Sequence, residues 1–174
     1  MTDLRNCVRF TSSNPNLDFF FLYSSDWQVR EVKEANYDEV LILGPRNQEN
    51  TYSLALTMRV TPTSEKGGQY TSLGELIADY LAKSKCSTRF QEISRTDGCL
   101  ADVDTTEIEI SYTIPLPINT LKPKETPIVE RRIFLKKGDH FYEVMYRAVE
   151  EDYYQYLKAF KDVMRTFEFH DDNA

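Results

Sequence analysis

Apolar and polar residues alternate with a period of two along several short segments of the chain, a pattern typical of half-buried β-strands. The clearest case is 52–60, where Leu54, Leu56 and Met58 lie on one side and Thr57 and Arg59 lie on the other. A continuous apolar run at 38–43 instead favours a strand that is covered on both faces. Further strands are predicted at 17–23, at 29–32 as a continuation of 17–23, and at 89–95, 105–114, 129–135 and 141–148.

Two segments, 72–85 and 151–167, follow the period of an amphipathic helix. Ser72 and Glu75 have the spacing of a capping box, which satisfies free backbone N–H groups at a helix start. Each segment carries one apolar stripe that we expect to face a sheet. The two stripes are Leu73, Leu76, Ile77, Tyr80 and Leu81, and then Tyr153, Tyr156, Leu157, Phe160, Val163, Met164 and Phe167.

Turn signals connect the predicted strands into antiparallel pairs. Asp97-Gly98 predicts a hairpin turn after 89–95, and 137–140 predicts a second hairpin turn. A proline-punctuated loop is expected at 116–127. Two helices and six to eight antiparallel strands indicate an α+β fold, an antiparallel β-sheet with helices packed on its faces.

Length and charge restrict the classes of function. A chain of 174 residues fits one domain, which we place at 17–169 between an N-terminal segment, 1–16, and a polar tail, 170–174. The net charge of −7 repels phosphate backbones, so we expect no nucleic-acid partner. No apolar run reaches the roughly 18 residues of a membrane span. The first ten residues lack a signal peptide, which leaves a cytoplasmic protein or a mature exported domain as alternatives.

The cysteines leave two interpretations open. Cys7, Cys86 and Cys99 contain no C-x-x-C pair, so a structural zinc site is not expected. The simpler interpretation is three buried or half-buried thiols. A Cys86–Cys99 disulfide is the alternative, and it would indicate an oxidising compartment.

Several short motifs occur in an order and spacing that resemble the PsbP family, the accessory proteins of the photosynthetic oxygen-evolving complex. The motifs are Phe21-Leu22-Tyr23-Ser24-Ser25-Asp26-Trp27, Thr71-Ser72-Leu73-Gly74-Glu75, Glu150-Glu151-Asp152-Tyr153-Tyr154 and Val163-Met164-Arg165-Thr166-Phe167. The resemblance covers roughly 17–169 and implies a PsbP-like α/β/α sandwich that binds a larger complex through its loops. That fold is shared with a small Ran-binding nuclear import factor and with bacterial lipoproteins.

The chain departs from the photosynthetic members of that family. Thr105-Thr106 stands where those members often carry paired tyrosines, and glycine is scarce. We therefore expect a PsbP-like domain and not PsbP itself.

Motifs for catalysis and cofactor binding are missing from the sequence. It has no G-x-S-x-G or S-x-x-K motif, no phosphate-binding loop and no Rossmann fingerprint, so we predict no catalytic residue and no cofactor. The only weak metal candidates are Asp139, His140, His170 and Asp171, which turn and tail positions explain as well. The carboxylate pairs Asp102/Asp104 and Glu107/Glu109 fit solvated outer faces of a sheet.

A basic cluster is the strongest candidate for a binding surface. Its members are Lys122, Lys124, Arg131, Arg132, Lys136 and Lys137. A charged, solvated edge strand is one explanation of the cluster, because such charges discourage aggregation. The sharper hypothesis is a docking patch for an acidic partner protein, which a larger membrane-associated complex could supply. The leading hypothesis of function is thus a non-catalytic accessory or assembly module. The alternatives are a small-ligand or divalent-metal-binding domain and, third, a hydrolase.

Overall fold

A computed structural model describes residues 6–45, 54–116 and 122–170. These residues form ten strands and two α-helices, α1 (Leu73–Ser84) and α2 (Glu150–Met164). The strands are β1 (Cys7–Phe10), β2 (Phe19–Ser24), β3 (Gln28–Lys33), β4 (Asp38–Leu43), β5 (Ala55–Pro62), β6 (Thr88–Leu100), β7 (Val103–Leu116), β8 (Lys124–Lys137), β9 (His140–Val149) and β10 (Glu168–Phe169).

Seven strands form one antiparallel sheet in the order β3-β4-β5-β9-β8-β7-β6. The other three form a small sheet in the order β1-β2-β10. Strand β9 is therefore central, β8 is an interior strand beside it, and β3 and β6 lie at the two edges. The predicted antiparallel α+β architecture is confirmed.

The helices pack on opposite faces of the large sheet. One face carries Val40, Met58 and Val144, and it packs with α2 and the small sheet into the main apolar core. The other face carries Ile108 and Phe134, which pack with the buried stripe of α1. The two predicted stripes thus face the sheet, although α2 ends at Met164, before the buried Phe167.

Helix α1 begins as its sequence predicts, with one difference in the cap. The hydroxyl of Ser72 accepts the backbone N–H of Glu75 at 3.2 Å. The carboxylate of Glu75 accepts the backbone N–H of Thr71, the residue before the Ser72 cap, at 2.7 Å. These bonds satisfy backbone N–H groups at the start of the helix, and they include Thr71 beside the predicted pair Ser72 and Glu75.

The Asp97-Gly98 turn was wrongly predicted. Both residues lie inside β6, where Asp97 pairs with Thr106 and Gly98 with Thr105. The chain reverses at Ala101-Asp102, and both of these residues have positive φ, 49° and 62°. Pairing along the full length of β6 and β7 outweighs the local preference of Asp-Gly for a turn.

Two other segments differ from expectation at the sheet edges. Gln28–Lys33 does not continue β2, because it pairs with β4 at the edge of the large sheet. The segment 1–16 contributes β1, which pairs with β2, so the fold includes residues before 17. Strands β7 and β8 also extend into the predicted proline loop, to Leu116 and from Lys124.

All three cysteines are free thiols. Cys7 is half-buried, whereas Cys86 and Cys99 are exposed. The Cys86–Cys99 disulfide is therefore not formed, and the expectation of burial holds only for Cys7.

Candidate functional site

Helix α1 covers only part of its face of the large sheet, and a cleft of about 340 Å³ opens beside it. We call this the α1 cleft. Its floor comes from β5, β7, β8 and β9, and its wall comes from α1 and the residues just before and after it. The lining side chains are Arg59, Tyr70, Leu76, Asp79, Tyr80, Lys83, Ser84, Ser87, Ile110, Tyr112, Glu130, Arg132 and Glu143.

The floor of the cleft is a buried ion-pair network centred on Arg132. The guanidinium donates to Glu130 from Nε at 3.1 Å and from NH2 at 2.8 Å, and to Glu143 from NH1 at 2.8 Å. The side chains are 16% exposed for Arg132, 5% for Glu130 and 8% for Glu143. Burial alone would lower the pKa of Arg132, but the charges of both glutamates outweigh it, so that pKa is raised.

Two tyrosines complete the shell of Glu130. Tyr80, from α1, donates to its Oε1 at 3.0 Å, and Tyr112, from β7, donates to its Oε2 at 3.0 Å. The Arg132 guanidinium carbon also lies 4.3 Å from the centre of the Tyr80 ring. Burial, followed by the charge of Glu130, raises the pKa of both phenols, so they remain protonated donors at neutral pH.

The rim of the cleft carries charges that are more accessible. Asp79 accepts from Tyr70 at 2.5 Å and from Lys83 at 2.6 Å, and burial together with Asp79 raises the pKa of Tyr70 to about 12. Arg59 pairs with Glu39 at 2.8 Å. The cations reach solvent more than the anions do. Lys83 and Arg59 are 70% and 35% exposed, against 31% for Asp79 and 14% for Glu39.

The polar side chains of the cleft can hold a polar ligand. The floor groups satisfy one another, so they act as a fixed pattern of donors and acceptors. Among the lining residues Ser84 and Ser87 are the serines, and neither His140 nor His170 is part of the lining. The described side chains of the cleft thus present a fixed set of hydrogen-bond donors and acceptors to solvent.

A second buried network lies on the opposite face of the same strands. Arg131 pairs with Glu109 at 3.0 Å and with Glu107 at 3.5 Å, and Tyr153 of α2 donates to Glu109 at 2.6 Å. Burial, followed by the bond to Glu109, raises the pKa of Tyr153. Glu109 is buried, so the predicted solvated face is wrong for the Glu107/Glu109 pair.

The structure does not bring the six predicted basic residues together. Strand β8 is an interior strand and not an edge strand, and its adjacent residues Arg131 and Arg132 lie on opposite faces in the two buried networks. Lys124 and Lys136 are exposed near opposite ends of the strand, and Lys122 is exposed just before it. Lys137 pairs with Asp18 at 3.7 Å. The two arginines therefore belong to buried ion pairs, and Lys122, Lys124 and Lys136 are the members of the six that reach solvent as a patch would require.

The weak metal candidates have other neighbours. Asp139 lies in the β8–β9 turn, 3.5 Å from Lys66. The rings of His140 and His170 pack against Tyr142 and Phe20. Asp171 lies outside the described residues. Within 6–45, 54–116 and 122–170 there is no group of three side chains that could bind a metal.

Sequence reasoning missed most of the α1 cleft. Glu130, Arg132 and Phe134 lie on one face of β8, and Glu143 lies between the apolar residues Tyr142 and Val144 of β9. Charged residues inside apolar strands were the available signal, because such residues must find partners when buried.

Comparison of the structure with solved structures gives three informative matches. The solution structure of cyanobacterial PsbP (CyanoP) from Synechocystis sp. PCC 6803 matches with a TM-score of 0.59 and 14% identity, over 97% of this chain and 95% of that one. The chain has the PsbP-like fold. This confirms, for the fold, the resemblance that the sequence motifs indicate.

Two further solved structures are similar to this chain. LpqN of Mycobacterium tuberculosis, described as involved in cell envelope biogenesis, matches with a TM-score of 0.55 and 9% identity, over 88% of this chain and 83% of that one. A protein from Bacteroides thetaiotaomicron matches with a TM-score of 0.57 and 14% identity. The match covers 97% of this chain but only 50% of the Bacteroides chain.

Comparison of the sequence with protein families and with curated proteins finds no relative. No family model matches the chain, and no curated protein matches it. In the described part of the chain, neither helix is long and apolar enough to cross a membrane.

Proposed function

We propose that this chain is a non-catalytic accessory module that binds a partner protein, and that the α1 cleft receives an acidic segment of that partner. The observation that carries the proposal is the fixed polar floor of the cleft. Replacing a buried ion-pair cluster by apolar residues is often neutral or stabilising, so such a cluster is a poor device for stability alone. Its presence beside an open surface is explained if the surface recognises a ligand.

The chemistry of the partner follows from the rim. Lys83 and Arg59 are the most exposed charged groups there, and Ser84 and Ser87 add hydroxyl donors beside them. A carboxylate side chain of the partner would accept from these groups without displacing the buried pairs below them. Because the whole chain is acidic, such a contact depends on local charge and is expected to weaken as salt rises.

The test starts with identification of the partner by affinity capture from the native source. Binding of that partner is then measured by calorimetry for three proteins. They are the unmodified chain, a cleft variant that carries both Lys83→Glu and Arg59→Glu, and the control variant Lys158→Glu. Lys158 is also an exposed lysine, 60% exposed, with an i,i+4 aspartate partner, but it lies on α2. We expect the cleft variant to weaken binding at least tenfold and the control to bind like the unmodified chain.

Two results would refute the proposal. One is equal affinity of the cleft variant and the unmodified chain for a stoichiometric partner. The other is an activity on a small-molecule substrate that is lost when a cleft residue is replaced, since that would make the chain an enzyme.

A further inference from the structure

Strand β6 is an open edge with unusual exposure. It spans Thr88–Leu100, it pairs only with β7 among the described strands, and every side chain from Gln91 to Cys99 is exposed. A long exposed edge presents unpaired backbone N–H and C=O groups, which can pair with another strand. The edge is not open along its whole length, however.

Irregularities block the first half of the edge. The register with β7 shifts between Thr88 and Gln91 and again between Glu92 and Ser94, and Arg89 has a φ of 55°. Bulges of this kind twist an edge and prevent strand addition. From Ser94 to Leu100 the pairing with β7 is regular, so this stretch is available.

The turn at Ala101-Asp102 determines which backbone groups point outwards. A two-residue turn is flanked by a hydrogen-bonded pair, here Leu100 and Val103. Hydrogen-bonded and outward-facing residues alternate, so Arg95, Asp97 and Cys99 turn their N–H and C=O groups away from β7. The 3.2 Å bond from Thr106 to the Asp97 side chain fits this, because side chains approach more closely in a non-hydrogen-bonded pair.

We propose that β6 pairs antiparallel with β6 of a second copy of this chain, with the two-fold axis at Thr96. A residue whose backbone N–H and C=O groups face outwards must lie opposite another such residue of the second copy. Few registers of the two β6 strands meet this condition. A two-fold axis at Arg95 or at Asp97 would place that residue opposite its own copy, and two like charges opposite each other are destabilising. Centring on Thr96 places Arg95 opposite the second copy's Asp97, and the symmetry creates that ion pair twice.

The pairing is short, so the dimer is weak. It comprises 94–98 of each copy, and Arg95 already has a partner at 3.0 Å in the exposed Glu92. The buried area falls below the roughly 1,600 Å² of a standard stable interface. We therefore expect a Kd between about 10 µM and 1 mM.

Charge exchange tests the register. Sedimentation equilibrium of the full chain should show a reversible monomer–dimer equilibrium. Arg95→Asp or Asp97→Arg alone should raise Kd at least tenfold, because each change creates two repulsive pairs. The double variant exchanges the two charges and should return Kd to within about threefold of the original value.

Disulfide trapping tests the geometry independently. Cα atoms of a non-hydrogen-bonded pair lie about 4.5 Å apart, within reach of a disulfide. With the three native cysteines changed to serine, Thr96→Cys should cross-link into a dimer in a glutathione buffer. Ser94→Cys is the control, because the two copies of residue 94 would lie about 13 Å apart.

A monomer at every concentration up to about 1 mM would overturn the proposal. So would a double charge exchange that leaves Kd raised, or cross-linking of the residue 94 variant as fast as that of the residue 96 variant.

Discussion

Replacing Arg132 by Met tests whether the floor of the α1 cleft is a fully paired network. Met keeps a similar side-chain length but removes three charge-assisted hydrogen bonds to Glu130 and Glu143, both of which are almost fully buried. Removing one partner of a buried ion pair costs about 3–5 kcal/mol, because the remaining charges stay buried without a counter-ion. For a chain of this length, that loss corresponds to a drop in Tm of about 6–20 °C.

The assay is urea unfolding at pH 7, followed by emission of Trp27 and by circular dichroism. Trp27 is the only tryptophan and packs partly against the main core, on the side away from the cleft. Coincident transitions by both probes would justify a two-state free energy of unfolding. Arg165→Met is the control, since Arg165 is 74% exposed and pairs with Asp162 at 3.0 Å, and its loss should cost no more than about 1 kcal/mol.

A third variant distinguishes the stability lost through unpaired buried charge from the stability lost through poorer packing. Arg132→Met combined with Glu130→Gln and Glu143→Gln removes the charges while keeping side-chain shape and most hydrogen-bonding groups, so at least half of the lost stability should return. The reasoning is refuted if Arg132→Met is within about 1 kcal/mol of the unmodified chain, or if the triple variant is less stable than the single one.

The remaining predictions concern the loops and the tyrosines. Gly68→Ala would place a Cβ 1.7 Å from the carbonyl oxygen of Pro62, so we expect a loss of about 2–4 kcal/mol in thermal unfolding. The control is Gly74→Ala in α1, where the nearest atom lies at 3.8 Å and a gain of up to about 1 kcal/mol is expected. Ala101→Asn should stabilise the chain by about 0.5–1 kcal/mol, because Asn tolerates positive φ better than Ala, and an unchanged or lower Tm would contradict this. At high pH the direction in which stability changes follows from the raised pKa of the phenols. The pKa of Tyr70 is about 12 in the native chain against about 10 in the unfolded chain. That contribution to stability is complete below pH 10 and is lost as pH rises from 10 towards 12. Absorbance at 295 nm should therefore show tyrosines that ionise later in the native chain than in urea, and identical titrations in both states would refute the assignment.

The sequence predicts the elements whose burial is decided by local periodicity. The α1 stripe of Leu76, Ile77, Tyr80 and Leu81 is buried as expected, and the strand at 38–43 has the predicted bounds. For α1, packing against the sheet requires only that apolar residues recur at the helical period, and for β4 a continuous apolar run is sufficient. No knowledge of the neighbouring strand is needed.

The hairpin turn and the cleft depend on information that is not local. Asp97-Gly98 has the better turn chemistry, but the lengths of β6 and β7 place the reversal four residues later. The cleft likewise requires Arg132 of β8 to meet Glu143 of β9, and Glu143 lies opposite Phe134 in the register. The ion pair is therefore diagonal, and it follows only from the order and alignment of the strands.

The two adjacent arginines of β8 show how a basic pair can be structural on both sides of a sheet. Arg131 reaches α2 through Glu109 and Tyr153, while Arg132 reaches α1 through Glu130 and Tyr80. Each helix is thus linked to the interior strand β8 by the same sequence of groups, an arginine, a glutamate and a protonated tyrosine. On the α2 side the small sheet adds to the cover, whereas on the α1 side the neighbouring strands stay open. The difference in cover, and not a difference in chemistry, is what makes one network a candidate binding surface and the other part of the core.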